Sequence, residues 1–167
     1  IRPIENDGDN WRRLASEDPL TGAANRRSFI TALEAQTARA AQVGPLSIVF
    51  IDVDHFKAIN DGPGHQAGDE VLKELTRRVK ATIRKADFLG RFGGEEFAVL
   101  VEDTDEQGAA TLAEKLRLAL ADDEFAMDLP NKGRISVAVT ASFGVAQLRA
   151  GESADQFLGR ADKALYA

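Results

Sequence analysis

An α/β sandwich with a mixed, mainly antiparallel central sheet is the fold this sequence predicts, on three observations. One is the nearly unbroken apolar run "LSIVFIDV", Leu46 to Val53, which reads as a central strand covered on both faces. Another is the pair "DFLGRF" and "EFAVLV", two strand-like segments that meet at Gly93 and Gly94 as a hairpin. The third is the helical periodicity of the segments between them. At 167 residues the chain is sized for one domain with its own core.

The opening "IRPIENDGDN" is polar and linker-like, and "NWRRLASED" predicts one or two helical turns. Residues 1–17 are therefore read as a linker or stalk, and 18–167 as the domain. "DPLTGAANRRSF" is a loop rich in turn-formers. It runs into an amphipathic helix over Arg26 to Ala41, which Gly44 and Pro45 end. After the central strand comes a short "HFKAIND" turn and a glycine-rich loop, "DGPGHQAGD". A helix over Glu70 to Arg84 follows, with Leu72, Leu75 and Val79 inward, then the hairpin, then a helix over Asp105 to Ala121. "GRISVAVTASFGVAQL" alternates and is β-branched, so it predicts one long strand, and "SADQFLGRADKALYA" predicts a final helix. The resulting order is α, β, α, β, β, α, β, α. There is no internal repeat and no low-complexity segment.

Composition narrows the function. Hydrophobic residues at 44% and charged residues at 29% are ordinary for a soluble domain. No apolar run approaches the roughly 20 residues of a membrane helix, and the start lacks a signal-peptide pattern. No membrane contact is expected of this domain. The absence of cysteine excludes disulfides and thiolate metal sites. A net charge of −6 argues against a nucleic-acid polymer as partner. An acidic protein that holds a polyphosphate needs a bound cation or clustered amides to do so.

Three motifs carry chemistry. In "IDVDHFK", Asp52 and Asp54 stand two apart at a strand end and so share a face. Carboxylates desolvated there call for compensation, and Mg²⁺ prefers oxygen ligands plus substrate phosphates. An aspartate capping the next helix is the alternative. In "RFGGEEF", Glu95 and Glu96 bring more acid from the hairpin turn, and Gly93 and Gly94 leave room for a ligand. A plain glycine-favoured turn is the alternative there. In "NDGPGHQAGDE", the glycines match neither the dinucleotide nor the phosphate-loop spacing. Phosphates would meet amides at the helix start "HFK" instead. Asn60 and Asp69 bracket this loop, where a carboxylate can accept from guanine N1–H and its amino group, a donor pair that adenine lacks. Turn ordering is the competing role for both. His55 and His65 lack metal-ligand spacing.

In order and spacing, "DPLTGAANRRSF", "IDVDHFKAINDGPGHQAGDEVL", "RFGGEEFAVL", "SFGVA" and "ADKALYA" resemble the GGDEF domains, the diguanylate cyclases, from about Asp18 to the C-terminus. The resemblance implies a palm-like fold shared with adenylyl cyclases and polymerases. It also implies condensation of two GTP into cyclic di-GMP and two pyrophosphates by a head-to-tail homodimer. Carried over by position, Asp52, the Val53 carbonyl and Glu95 would hold Mg²⁺, with Mn²⁺ the other candidate. Glu95 or Glu96 would take the 3′-hydroxyl proton, Asn60 and Asp69 would read guanine, and Phe56, Lys57, Gly93 and Gly94 would line the GTP site. Arg84 and Asp87 match an R-x-x-D site that binds the product and inhibits, and Lys115 stands where an arginine often assists. A lysine there keeps the charge but loses the planar fork.

The family usually continues past "ADKALY" into an A-K-x-x-G-R-N block that contacts the triphosphate. The sequence stops at Ala167, through trimming or disorder, and a chain truly without that block would bind and turn over GTP less well. The reading that results is a product-inhibited cytoplasmic cyclase domain within a larger signalling protein. The alternative is a catalytically weak receptor for cyclic di-GMP or GTP. A cyclase with adenine-containing products is a third reading, which Asp69 argues against.

Overall fold

The computed structural model describes residues 16–165. The frayed opening and most of the helical turns expected in "NWRRLASED" lie outside that range. The elements are α1 (Arg26–Val43), β1 (Ser47–Val53), α2 (Phe56–Asp61), α3 (His65–Thr82), β2 (Phe88–Gly93), β3 (Glu96–Val101), α4 (Glu106–Ala121), β4 (Phe125–Leu129), β5 (Gly133–Val137), β6 (Ala141–Gln147) and α5 (Ala154–Leu165). Side-chain caps start three of the helices. Asn25 accepts from Ser28 N at 2.9 Å before α1, Asp105 accepts from Gly108 N at 2.8 Å before α4, and Ser153 Oγ accepts from Gln156 N at 3.2 Å before α5.

Four strands form the main sheet in the order β2-β3-β1-β6. Its strand pairs are antiparallel, and the parallel component is the isolated bridge between Ala24 and Gly90. The apolar run of β1 does sit at the centre, and alternation along it divides the core into two layers. Ile48 and Phe50 face Phe29 and Leu33 of α1 and Phe157 of α5. Val49, Ile51 and Val53 face α3 and α4 through Val71, Leu75 and Leu116. Phe29 and Phe157 are fully buried, and each such side chain contributes about 1.5–3 kcal/mol.

Three local expectations need correction. "HFKAIND" is not a turn but contains the six-residue helix α2, entered through His55 in the left-handed region at φ 55. Helix α3 begins at His65, not Glu70, and ends at Thr82, so half of the supposed glycine loop is helical. Gly68 is there for its size: a Cβ would collide with Asn60 Oδ1 and lie 3.2 Å from Phe56 Cζ, so α2 can cross α3 at close range. The single long strand over 133–148 is two strands. β5 pairs with β4, which was not expected, in a separate hairpin, whereas β6 pairs with β1. Between them the chain leaves one sheet for the other at Ala138–Thr140.

Candidate active site

The site lies at the end of the sheet where β1 runs out and the β2–β3 hairpin turns. Gly93 pairs with Glu96, leaving Gly94 and Glu95 as a two-residue turn. Gly94 has φ 50 at its first central position, a geometry glycine adopts without strain. The strand register then sets the acids. Asp52 is the direct cross-strand partner of Glu96, so the two side chains project from the same face. The Glu95 carbonyl accepts from Val53 N at 3.2 Å, which ties the turn to the end of β1.

Asp54 follows the strand and is engaged by β6. Its carboxylate accepts from Thr140 Oγ1 at 2.8 Å and Ser142 Oγ at 2.6 Å, and its N–H donates to the Thr140 carbonyl at 2.9 Å. Ser142 is also the strand partner of Asp52, so these hydroxyls lie on the same side as Asp52 and Glu96. Asp54 thereby fixes the exit of β1, and Asp52 is the acid of "DVD" set opposite the hairpin.

The site carries excess negative charge. Burial first, then the charges of Asp52, Asp162 and Glu95, push the Glu96 carboxyl above its ordinary pKa, with Arg26 acting the other way. Asp162 comes from α5, and its Oδ1 is buried without a hydrogen-bond partner. Among the described residues no three His, Asp or Glu side chains group closely enough to enclose a metal ion unaided. The donor set fits a cation that takes part of its shell from the protein and the rest from phosphate and water, the habit of Mg²⁺.

The hairpin is braced from outside the sheet. Arg91 donates to Asp18 Oδ2 at 3.0 Å and to the Gly94 carbonyl at 2.9 Å. Asp18 also accepts from the Thr21 amide at 2.9 Å and hydroxyl at 2.8 Å. Arg26, at the start of α1, stacks 5.4 Å from the centre of the Phe92 ring. Phe92 is the extra residue where the β2–β3 register shifts. Sequence reasoning missed the roles of Asp18, Arg91, Arg26 and Asp162. The "DPLTG" and "RFGG" blocks contained the first two, but nothing local paired them.

Across the loop, Phe56 and Lys57 form the first turn of α2, immediately after the end of β1. Asn60 lies against Gly68, and exposed Asp69 is the next residue of α3, so the structure brings the base-reading candidates to one place. Arg84 and Asp87 are elsewhere, at the loop between α3 and β2. The Arg84 guanidinium donates to Asp87 Oδ1 at 2.9 Å and to the Glu102 carbonyl at 2.7 Å, and Arg84 N donates to Asp87 Oδ2 at 2.9 Å. The Asp87 side chain is 1% exposed and that of Arg84 55%. Asp87 thus holds the arginine, and the arginine faces solvent. Lys115 is exposed on α4. No helix among the described residues is long and apolar enough to cross a membrane.

A family model described as diguanylate cyclase, GGDEF domain, matches residues 15–167. Diguanylate cyclase DgcP of Pseudomonas aeruginosa is 40% identical over 159 residues, covering 95% of this chain and 23% of that protein. Response regulator PleD of Caulobacter vibrioides is 39% identical over 165 residues, covering 98% of this chain and 36% of that protein. The chain thus spans only 23% to 36% of the length of these relatives. The coiled coil and GGDEF domain of DgcB from Caulobacter crescentus, solved in complex with c-di-GMP, superposes with a TM-score of 0.90 at 30% identity, covering 99% of this chain and 86% of that one. These matches carry the palm-like fold with them, and the chain belongs to the GGDEF domain family of diguanylate cyclases.

Proposed function

We propose that this domain condenses two GTP molecules into cyclic di-GMP and two pyrophosphates as a head-to-tail homodimer, and that cyclic di-GMP bound at Arg84 and Asp87 inhibits it. The observation that carries the reading is the placement of Asp52 opposite Glu96, with Glu95 in the adjoining turn beside Val53. Asp52 and Glu96 face each other across the strands with Glu95 in the adjoining turn, and a triphosphate with its metal would add positive charge among these acids. Asp52, the Val53 carbonyl and Glu95 are the groups that would hold Mg²⁺ or Mn²⁺. The ion, when bound, polarises the α-phosphate and offsets charge developing in an in-line displacement.

The chain's own residues do the rest. Asn60 and Asp69 receive the guanine edge, Asp69 accepting from N1–H and the amino group. Phe56 and Lys57 flank the phosphates, and the open Gly93–Gly94 segment admits the nucleotide without a clash: a Cβ at either would meet nothing within 4 Å. The 3′-oxygen of one GTP bonds to the α-phosphorus of the other, the bond to pyrophosphate breaks, and the 3′-proton passes to a carboxylate at hand, Glu95 or Glu96. Each domain holds only one substrate, so a monomer binds GTP without completing the product.

A receptor for cyclic di-GMP is the second reading, and the solvent-facing Arg84 held by Asp87 favours it. One experiment separates the two. A dimeric preparation stripped of product is incubated with GTP and Mg²⁺, and cyclic di-GMP is measured by chromatography beside a Glu95→Gln control. Product from the wild type alone supports the cyclase. Binding of cyclic di-GMP with no synthesis identifies a receptor.

A further inference from the structure

The β4–β5 hairpin stands apart from the main sheet, and the proposed chemistry gives it no task. It is held at its root and along one edge. Phe125, Met127 and Leu129 are buried in the layer that contains α3. The Arg78 guanidinium of α3 lies 4.0 Å from the centre of the Phe125 ring and donates to the Asp123 carbonyl at 2.8 Å and the Glu124 carbonyl at 3.1 Å. At the other end, Lys132 sits between two left-handed residues, Asn131 at φ 68 and Gly133 at φ 70, and its N–H donates to the Leu129 carbonyl at 3.2 Å. Asparagine and glycine are the residues that take this backbone most readily. The turn projects the Lys132 ammonium onto the Pro63 carbonyl, 69 residues away in sequence.

Pro63 lies in the Gly62–Gly64 connection between α2 and α3. That connection separates Asn60 from Asp69, and its two glycines leave it easily deformed. Helix α2 has six residues, of which only Ile59 is buried, so packing alone holds Asn60 weakly. Lys132 also passes close to Gly64, where an added Cβ would lie 3.6 Å from Nζ. The hairpin therefore reaches from the far part of α3 to the residues just before its start, and grips the connection there.

We propose that Lys132 is a positioning residue for nucleobase recognition, clamping the Gly62–Gly64 connection so that Asn60 and Asp69 stand at the spacing a guanine edge requires. This rests on the reading that those two residues receive the base. Its consequence is that an element outside the catalytic sheet sets base preference.

The test measures dissociation constants for 3′-deoxy-GTP and 3′-deoxy-ATP, which lack the attacking hydroxyl, on the intact dimer, with melting temperature recorded in parallel. Lys132→Met weakens 3′-deoxy-GTP binding by about threefold to tenfold, the net worth of one ordinary solvent-exposed hydrogen bond. The adenine analogue changes less, melting is unmoved, and Lys132→Arg restores guanine preference. Unchanged affinity in Lys132→Met overturns the clamp, as does equal loss for both analogues, a loss that tracks a lower melting temperature, or failure of the arginine variant to restore preference. Asp69→Ser in the same assay keeps the two ideas apart. If it abolishes guanine preference while Lys132→Met does not, the clamp alone is wrong. If it leaves preference intact, the base-pocket reading falls.

Discussion

Arg91 and Asp18 form an ion pair at 3.0 Å that links the start of the domain to the tip of the acidic hairpin, because the same guanidinium donates to the Gly94 carbonyl at 2.9 Å. Both side chains are largely covered, 15% and 17% exposed, so screening is weaker than at an open surface. Arg91→Ala removes the guanidinium from the Asp18 carboxylate, which keeps its Thr21 hydrogen bonds, and frees the turn that carries Glu95. We expect a loss of about 1–3 kcal/mol in stability and a larger proportional loss of activity at saturating GTP. Urea unfolding and initial-rate measurements check this. A variant with full activity would show that the turn holds its shape without the brace.

Arg84 and Asp87 are unequal partners, and their variants should differ. Asp87 accepts both the Arg84 backbone N–H and its guanidinium while itself buried, so it orders the loop between α3 and β2 as well as the arginine. Asp87→Ala is expected to cost about 1.5–3 kcal/mol, the worth of hydrogen bonds made to a charged group. Arg84→Ala keeps the backbone bond and should cost less. On the proposed function, it also relieves inhibition by cyclic di-GMP with little change in initial rate. Dose-response curves with added cyclic di-GMP on both variants check this; unchanged inhibition in Arg84→Ala would show that the product binds elsewhere.

Gly68 gives a prediction independent of charge. Its missing Cβ is the space occupied by Asn60 Oδ1 and approached by Phe56 Cζ. Gly68→Ala favours the helix locally by about 1 kcal/mol, yet forces α2 away from α3 at an overpacking cost of about 1–3 kcal/mol. We expect a stability change near zero or modestly negative, and a clear fall in affinity for 3′-deoxy-GTP as Asn60 is displaced. Titration calorimetry beside thermal melting distinguishes the two effects.

The sequence disclosed those parts of the fold whose signal is local. The core strand β1, the β2–β3 hairpin and helices α1 and α4 each follow from a contiguous pattern of apolar spacing, caps and glycines. The strand end with Asp52 and the turn with Glu95 are each visible in a few residues, but the register that sets Asp52 opposite Glu96 is not. Residues 133–148 misled because alternation continues through "VAVTAS" even though the chain changes sheets there; periodicity reports a strand but not its partner. Gly68 read as loop because glycine is a weak helix former, and only the packing of Asn60 against it shows why a helix tolerates it. The Lys132–Pro63 and Arg91–Asp18 contacts span 69 and 73 residues, and no local pattern encodes such a pairing.

The carboxylates make opposite contributions to pH dependence, and the signs can be tested separately. Glu74 is held at about 2 from an ordinary 4.5, chiefly by its hydrogen bonds from Arg77 and also by those from Arg78. A depressed value means the unfolded chain binds the proton more tightly. Glu74 therefore stabilises the fold above pH 4.5, and that contribution fades as pH falls from 4.5 toward 2. Arg77 is largely exposed, so the effect is about 0.5–1 kcal/mol at neutral pH, and Glu74→Gln should match the wild type in acid. Glu96 runs the other way, raised by burial and by Asp52, Asp162 and Glu95. There the folded chain binds the proton more tightly, so the benefit present below pH 4.5 is lost as pH rises through the folded value. Glu96→Gln should then melt above the wild type at pH 7–8 and show no advantage at pH 4, although the same change removes a candidate proton acceptor. Melting curves for both variants across this range decide the matter. A Glu96→Gln protein less stable than the wild type at pH 8 would mean that the crowded acids are already compensated within the chain, which would remove the electrostatic reason for a cation at this site.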